Sequence, residues 1–136
     1  MELKVTNNNY FYALGRRKSS TARVRLSKGK GNITINTKPV DEYISSSKYL
    51  HNKLTQPFGA LDIANDFDIS VKVTGGGPVS QVEAIRLGIS KCLTLLNEDY
   101  RQTLKRADLL SRDPRDKERK KFGLRGARKK RQFTKR

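Results

Sequence analysis

The sequence predicts an α+β fold: a small two-layer domain with helices packed on one face of a mixed sheet, followed by a long extended basic C-terminal tail. Three observations support this prediction. Several short segments alternate apolar and polar residues, as half-buried strands do, and one long segment carries apolar residues at helical spacing. After Pro114 the core-forming residues run out and cations take their place. We therefore predict a globular domain over residues 1–111 and a tail over residues 112–136.

The N-terminal part is predicted to form three strands. Tyr10–Leu14 is apolar and aromatic, and Thr21–Leu26 alternates strictly, with a basic turn from Gly15 to Ser20 between them. Lys28–Gly31 has the glycine pattern of a hairpin loop, and it leads to a strand at Asn32–Asn36. The alternation places two cations on the outer face of the second strand, Arg23 and Arg25.

The rest of the domain is predicted to be helical apart from one strand at Asp68–Thr74. Val40–Leu54 has the spacings of a broken helix, which Pro57-Phe58-Gly59 is expected to end. A long helix begins at Pro78, since proline suits the first helical turn. A shorter helix is predicted at Tyr100–Leu110. Small residues on one ridge of the long helix allow it to lie close against the sheet: Ser80, Ala84 and Gly88.

The charge of the chain is concentrated near its end. The net charge is +17, of which residues 1–100 contribute +5 and residues 101–136 contribute +12. Such a distribution indicates a polyanionic partner. The single cysteine excludes an internal disulfide or a cysteine cluster and favours a reducing compartment. No apolar run is long enough to span a membrane, and Met1–Asn9 lacks the hydrophobic stretch of a signal peptide.

The basic turn and the outer strand face are a candidate phosphate-binding surface. The turn presents consecutive cations and hydroxyl groups: Arg16, Arg17, Lys18 and Ser19. The arginines suit this role because the guanidinium fork contacts phosphate bidentately and stacks on bases. The alternative is a solvated turn. Arg23 and Arg25 would extend the patch along the neighbouring strand.

The glycine turn at Gly75, Gly76 and Gly77 has two interpretations. The favoured one is a sharp turn that needs positive φ and close backbone approach. The other is that free N–H groups at the start of the helix hold an RNA phosphate. The turn nearly matches a dinucleotide fingerprint, but no suitable acidic residue follows, and no Gly-Lys-Ser/Thr of a P-loop is present.

No catalytic residue, metal site or cofactor site is predicted, and the chain is not expected to be an enzyme. His51 has no cysteine or acidic partner nearby in sequence. Cys92 lies on the apolar stripe of the long helix, as a small buried side chain does. Neighbouring carboxylates fall at the ends of elements, where capping is the simpler role.

The tail is the strongest functional signal. Residues 112–136 carry 13 Lys or Arg against 3 acidic residues, and Phe122 and Phe133 are interleaved with the cations. A segment of this kind cannot bury enough apolar surface to order itself. Its aromatic rings can stack on unpaired bases. The alternative is a disordered tail that serves solubility or localisation.

Three blocks of sequence together are more specific than basicity alone: Gly15-Arg16-Arg17-Lys18-Ser19-Ser20-Thr21-Ala22-Arg23-Val24; Gly75-Gly76-Gly77 with Gln81, Ala84, Ile85, Arg86, Gly88 and Lys91; and Arg112-Asp113-Pro114-Arg115 with Glu118-Arg119-Lys120-Lys121 and Gln132-Phe133-Thr134-Lys135-Arg136. From about Tyr10 to Arg136 the chain resembles the family of small-subunit ribosomal protein nine. The chain departs from the family's usual pattern at Arg131, in place of a proline, and at Ser80, in place of a glycine.

The resemblance implies a structural RNA-binding protein in the head of the small ribosomal subunit. It implies three partners, namely small-subunit rRNA, peptidyl-site tRNA and neighbouring head proteins, and no membrane. It implies rRNA contacts from the turn, the outer strand face and the tail: Arg16, Arg17, Lys18, Ser19, Arg23, Arg25, Arg112, Arg115, Arg119, Lys120, Lys121, Arg125, Arg128, Lys129 and Lys130. It also implies that the last two residues, Lys135 and Arg136, approach the anticodon stem-loop of the peptidyl-site tRNA.

The pattern in Leu110–Arg115 and Ala84–Gly88 is closest to cyanobacterial and plastid members of that family. We therefore expect a ribosome in the plastid (chloroplast) stroma, with the bacterial cytoplasm as the alternative. Two other functional classes remain open. One is a general, non-ribosomal nucleic-acid-binding basic protein, and the other is a phosphate-handling enzyme that uses the Gly75–Gly77 turn.

Overall fold

The structure is a computed structural model that describes residues 10–45, 47–63 and 66–135. Within these residues, alternating strand patterns and 3.6-period helix patterns form nine elements, which are β1 (Tyr10–Arg17), β2 (Ser20–Lys28), β3 (Ile33–Ile35), β4 (Lys38–Pro39), α1 (Val40–Tyr43), α2 (Lys48–Ala60), β5 (Phe67–Thr74), α3 (Pro78–Leu96) and α4 (Tyr100–Arg106). The predicted strands and the long helix at Pro78 are present. The helix predicted over Val40–Leu54 is indeed broken.

The strands form one mixed sheet in the order β1-β2-β5-β3-β4. β3 runs parallel to β5, while every other neighbouring pair is antiparallel. The hairpin predicted at Lys28–Gly31 is therefore wrong, because β5 lies between the two strands that this loop joins. Asp68 on β5 accepts hydrogen bonds from the backbone N–H groups of Lys30 and Asn32, both at 3.0 Å, and so holds the loop. A local glycine signal does not determine which strand becomes the neighbour.

The core lies between one face of the sheet and the helices, which confirms the α+β prediction. Alternate residues of β2 and β5 are buried against α3 and carry the apolar side chains Ala22, Val24, Leu26, Ile69, Val71 and Val73. α2 packs against α3 in the helical layer. The residues between the buried ones point to the opposite, open face of the sheet, which no helix of the described chain covers.

The contacts of α3 with β1 and β2 are close enough to require glycine at Gly15 on β1 and at Gly88 on α3. A Cβ at Gly15 would lie 1.8 Å from the carbonyl oxygen of Ala84, and one at Gly88 would lie 2.5 Å from Cγ2 of Val24. The predicted small-residue ridge of α3 therefore faces the sheet. This contact brings the end of β1, with its arginines, next to the middle of α3.

Three predicted boundaries are wrong. α2 continues through Pro57 to Ala60, although an internal proline removes one helical hydrogen bond. Pro57 is buried, and Phe58 stacks on Phe67 with 6.3 Å between ring centroids, so tertiary packing holds the last turn. The last helix ends at Arg106 instead of Leu110, while β1 extends to Arg17 and shortens the predicted basic turn. The two-residue strand β4 was not predicted.

Residues 107–135 contain no helix or strand. Leu109 is the last buried apolar residue, at 5% exposure. The extended course of the tail and the domain boundary after residue 111 stay predictions. Among the described residues, no helix has both the length and the apolar character that a membrane span requires.

Candidate nucleic-acid interface

The turn between β1 and β2 separates its neighbouring cations into two environments. Only Lys18 and Ser19 lie outside the strands, and Lys18 adopts φ 50°, which tightens the turn. Arg16, Lys18 and Ser19 are exposed, as a phosphate contact requires. The side chain of Arg17 is only 14% exposed. The four residues predicted as one patch are thus not equivalent.

Arg17 links β1 to α3 and to the start of the tail. Its Nε donates to Oε2 of Glu83 at 2.8 Å, and its Nη1 donates to the carbonyl oxygen of Arg115 at 2.7 Å. Its Nη2 lies 3.0 Å from Oδ2 of Asp113. All three guanidinium nitrogens of Arg17 therefore contact oxygen atoms of the same chain. Sequence spacing did not reveal this role, because the partners lie 66 to 98 residues away.

Both carboxylates in this network have a second cation. Lys53 donates to Oε1 of Glu83 at 2.7 Å, and Arg115 lies 2.9 Å from Oδ2 of Asp113. Burial would raise the pKa of Glu83, but hydrogen bonds from Lys53 and Arg17 outweigh it, so the pKa lies below its usual value. Hydrogen bonds from Arg115 likewise hold the pKa of Asp113 well below its ordinary range. We call Arg17, Lys53, Glu83, Asp113 and Arg115 the tail clamp.

A groove of about 410 Å³ lies beside the clamp, between the end of β1, α3 and residues 108–115. Its lining includes three further arginines, Arg16, Arg86 and Arg112. The Nη1 of Arg86 donates to Gln56 at 2.8 Å, and its buried Nε has no hydrogen-bond partner among the described residues. Arg86 was not predicted as a site residue, since in the sequence it resembled an ordinary polar position on α3.

The open face of the sheet carries Arg23 and Arg25, as predicted, and both are exposed. The register adds two residues that the sequence analysis missed. Lys72 on β5 lies directly opposite Arg23, and Tyr12 on β1 lies directly opposite Arg25. Strand alternation in Asp68–Thr74 already placed Lys72 outward, but only the strand order made it a neighbour of Arg23.

The glycine turn is a sharp turn at which glycine is required. Gly75 and Gly76 adopt φ of +75° and +68°, and a Cβ at Gly76 would lie 2.0 Å from Oγ of Ser20. Ser80 accepts a hydrogen bond from the N–H of Gly77 at 3.0 Å, and Ser20 donates to the carbonyl oxygen of Gly75, also at 3.0 Å. This geometry agrees with the favoured interpretation. A phosphate on Gly75, Gly76 and Gly77 stays a prediction.

The cations of the tail are exposed over its described length, as are Phe122 and Phe133, at 97% and 87%. Glu118 is one of three acidic residues in the tail, and it pairs with Arg128 at 2.9 Å and with Lys121. Lys135 is exposed. Arg136, the other predicted tRNA contact, lies outside the described residues.

The remaining titratable candidates lie away from this surface. His51 is 3.0 Å from Asp41 at the surface. Cys92 is buried in the core, and burial raises its pKa to about 12. Within the described residues, no group of His, Cys, Asp and Glu is arranged to hold a metal ion.

Comparison with known proteins gives one consistent match. The family model described as ribosomal protein S9/S16 matches residues 15–136. A protein named small ribosomal subunit protein uS9 from Malacoplasma penetrans is 49% identical over 130 residues, which cover 96% of this chain and 99% of the relative. The protein of the same name from Mycoplasmopsis pulmonis is 53% identical over 126 residues, covering 93% of this chain and 92% of the relative.

Proposed function

This chain belongs to the ribosomal protein S9/S16 family, and on that premise we propose that it is a structural constituent of the small ribosomal subunit that binds rRNA in the head. Membership of a family of structural ribosomal proteins confirms that the chain is not an enzyme. The partners on this proposal are small-subunit rRNA, neighbouring head proteins and the tRNA in the peptidyl site.

One observation carries the proposal. The family match extends through residue 136, and so includes a segment of 13 cations that has almost no core-forming residues of its own. Such a segment gains order only from a polyanion, and it binds through phosphate contacts that release counterions. In an assembled ribosome, RNA takes the place of the core that the tail lacks.

The proposed rRNA contacts fall into three groups of exposed cations. The turn contributes Arg16 and Lys18 together with the hydroxyl of Ser19, and the sheet contributes Arg23 and Arg25. The tail contributes Arg112, Arg115, Arg119, Lys120, Lys121, Arg125, Arg128, Lys129 and Lys130. Arg17 is also among the predicted contacts, and its bonds to Glu83 and Asp113 additionally tether it to α3 and to the start of the tail.

The end of the tail is proposed to approach the anticodon stem-loop of the peptidyl-site tRNA. Lys135 and Arg136 would supply charge to the phosphate backbone without reading its sequence. Fully extended, the residues from Phe122 to the end reach roughly 50 Å, at about 3.3 Å per residue. That length allows the end to act far from the domain.

The expectation of a plastid ribosome is corrected by the comparisons. Both relatives described above come from mycoplasmas, which are bacteria, at 49% and 53% identity. The sequence pattern that favoured plastid members lies in short segments, whereas these identities extend over nearly the whole chain. We therefore propose a ribosome in the bacterial cytoplasm, which is the alternative to the plastid.

The experiment compares reconstituted small subunits that carry the full chain or a chain lacking Lys135 and Arg136. We expect normal assembly and weaker tRNA binding in the peptidyl site, with the log–log salt slope reduced by about 0.7 for each lost contact. The matched control is Lys105→Gln with Arg106→Gln, which removes the same charge from exposed positions on α4. Unchanged tRNA affinity in the truncated subunits would refute the role of the tail end.

A second comparison tests the rRNA assignment itself. The full chain should bind a transcript of bacterial small-subunit rRNA more tightly than duplex DNA of equal length at the same salt concentration. Equal affinity for the two would instead support a general nucleic-acid-binding protein, since electrostatic binding alone is independent of sequence and shape.

A further inference from the structure

The open face of the sheet carries cations that the fold itself does not explain. Arg23 on β2 and Lys72 on β5 are directly opposite each other in an antiparallel pair, and both are exposed. Like charges in this position destabilise a sheet. Neither residue takes part in an ion pair among the described residues. A cross-strand repulsion kept on an uncovered face indicates a partner that brings negative charge.

The acidic residue on this face does not balance these cations. Asp68 is at the far end of β5, opposite Ser27, and its Oδ1 accepts the N–H groups of Lys30 and Asn32, both at 3.0 Å. Those backbone hydrogen bonds lower the pKa of Asp68. Its charge is therefore directed to the loop after β2 and away from Arg23 and Lys72.

Two tyrosines stand beside the cations on the same face. The guanidinium of Arg25 lies over the ring of Tyr10, with 5.3 Å between its Cζ and the ring centroid. Tyr12, directly opposite Arg25, is 47% exposed. β1 is the first strand in the sheet order, so among the described elements no further strand flanks Tyr12. A planar group can thus approach this ring from the face or from the edge of the sheet.

We propose that the open face binds an unpaired segment of RNA, with one base stacked on Tyr12 and backbone phosphate held between Arg23 and Lys72. This proposal rests on the proposed function, because it takes the RNA from the small subunit. A sheet with exposed aromatic rings and arginines suits unpaired RNA, whose bases can leave the stack and expose a π-face. Paired bases are already stacked in their helix and cannot take this position.

A neighbouring protein is the other class of occupant, and the charge argues against it. A protein surface would have to supply carboxylates to Arg23, Arg25 and Lys72 at three fixed positions, and a polar rim of that kind contributes little affinity. An RNA backbone supplies one negative charge per nucleotide without any special arrangement.

The first test removes the ring. We expect Tyr12→Leu to weaken binding of the full chain to a bacterial small-subunit rRNA transcript roughly 5- to 150-fold, because this is the range for one stacked base. Tyr12→Phe keeps the ring and should retain wild-type affinity within about twofold. The matched control is Tyr49→Leu, which removes an even more exposed ring, at 61%, from α2 in the helical layer and should not weaken binding.

The second test uses the like-charge pair, where folding and binding should change in opposite directions. Lys72→Gln relieves the repulsion with Arg23, so the free protein should become no less stable to urea, and slightly more stable if the pair is unscreened. The same substitution should weaken rRNA binding and lower the salt slope by about 0.7, the loss of one phosphate contact. A residue with only a structural role would not produce this combination.

The outcomes separate this proposal from the proposed function. If the wild-type chain fails to prefer the rRNA transcript, the proposed function is wrong. If the wild type binds and Tyr12→Leu and Lys72→Gln bind equally well, only the open-face proposal is wrong. Ultraviolet crosslinking in intact subunits provides the last check: a crosslink from Tyr12 to an unpaired rRNA nucleotide supports the proposal, and one to a neighbouring protein overturns it. Should Tyr12→Leu fail to fold, Lys72→Gln and the crosslink still decide.

Discussion

The tail clamp predicts that Arg17 and its neighbour Arg16 contribute very differently to stability, although they are adjacent cations in one motif. The side chain of Arg17 is 14% exposed and bonds to Glu83 and Asp113, whereas Arg16 is exposed and has no such bonds among the described residues. We predict that Arg17→Ala destabilises the free protein and loosens the start of the tail, while Arg16→Ala does neither.

The magnitude follows from what each substitution leaves unpaired. Exposed ion pairs contribute about 0.2–1 kcal/mol, and breaking a fully buried one costs about 3–5 kcal/mol. Arg17→Ala leaves Glu83 its bond to Lys53, so we expect a loss of about 1–2 kcal/mol. Glu83→Ala leaves two cations without their shared carboxylate and should cost about 2–3 kcal/mol. Arg16→Ala should stay within about 0.5 kcal/mol of the wild type.

Urea denaturation of the full chain, followed by circular dichroism, measures these differences. At a typical slope, a loss of 1–2 kcal/mol lowers the midpoint by roughly 1 M. Hydrogen exchange of the peptide covering residues 107–116 separates local release of the tail from global unfolding, because local release raises exchange there first. Equal stability and equal exchange in Arg16→Ala, Arg17→Ala and Glu83→Ala would refute the clamp.

Two further predictions concern the same region. Gly15→Ala should destabilise the protein by more than about 2 kcal/mol, because the added Cβ would meet the Ala84 carbonyl oxygen at 1.8 Å. The control in the same urea assay is Gly59→Ala, where the added Cβ meets nothing within 4 Å. The free energy of unfolding should also fall with acidification, because the folded-state pKa of Glu83 lies below its usual value of 4.5. The stabilisation from the ionised Glu83 is therefore fully present above about pH 4.5 and is lost as pH falls through the folded pKa. Acid titration should give Glu83→Gln a shallower loss of stability below pH 4.5 than the wild type, and identical curves would contradict the role of this carboxylate.

A feature predicted from the sequence agreed with the structure when neighbouring residues determine it, and disagreed when residues far apart in the chain determine it. Strand alternation in β2 and β5 identified the buried face correctly, because period-2 patterning is a local property. The start of α3 at Pro78 followed from the glycine–proline break for the same reason. The helix through Pro57 was missed, since packing of Phe58 on Phe67 overrides the local helix-breaking signal.

The features of the proposed RNA-binding surface also separate into those that the sequence determines and those that only the tertiary structure determines. By itself the sequence determined that cations dominate the last 25 residues, that no internal disulfide exists and that Arg23 and Arg25 lie on the outer face of a strand. The tertiary structure alone decided that Arg17 is an internal tether, since Glu83 and Asp113 reach it only when α3 and the start of the tail fold back onto β1. It also decided that Lys72 faces Arg23, because strand order depends on which pairing buries the most apolar surface across the whole chain.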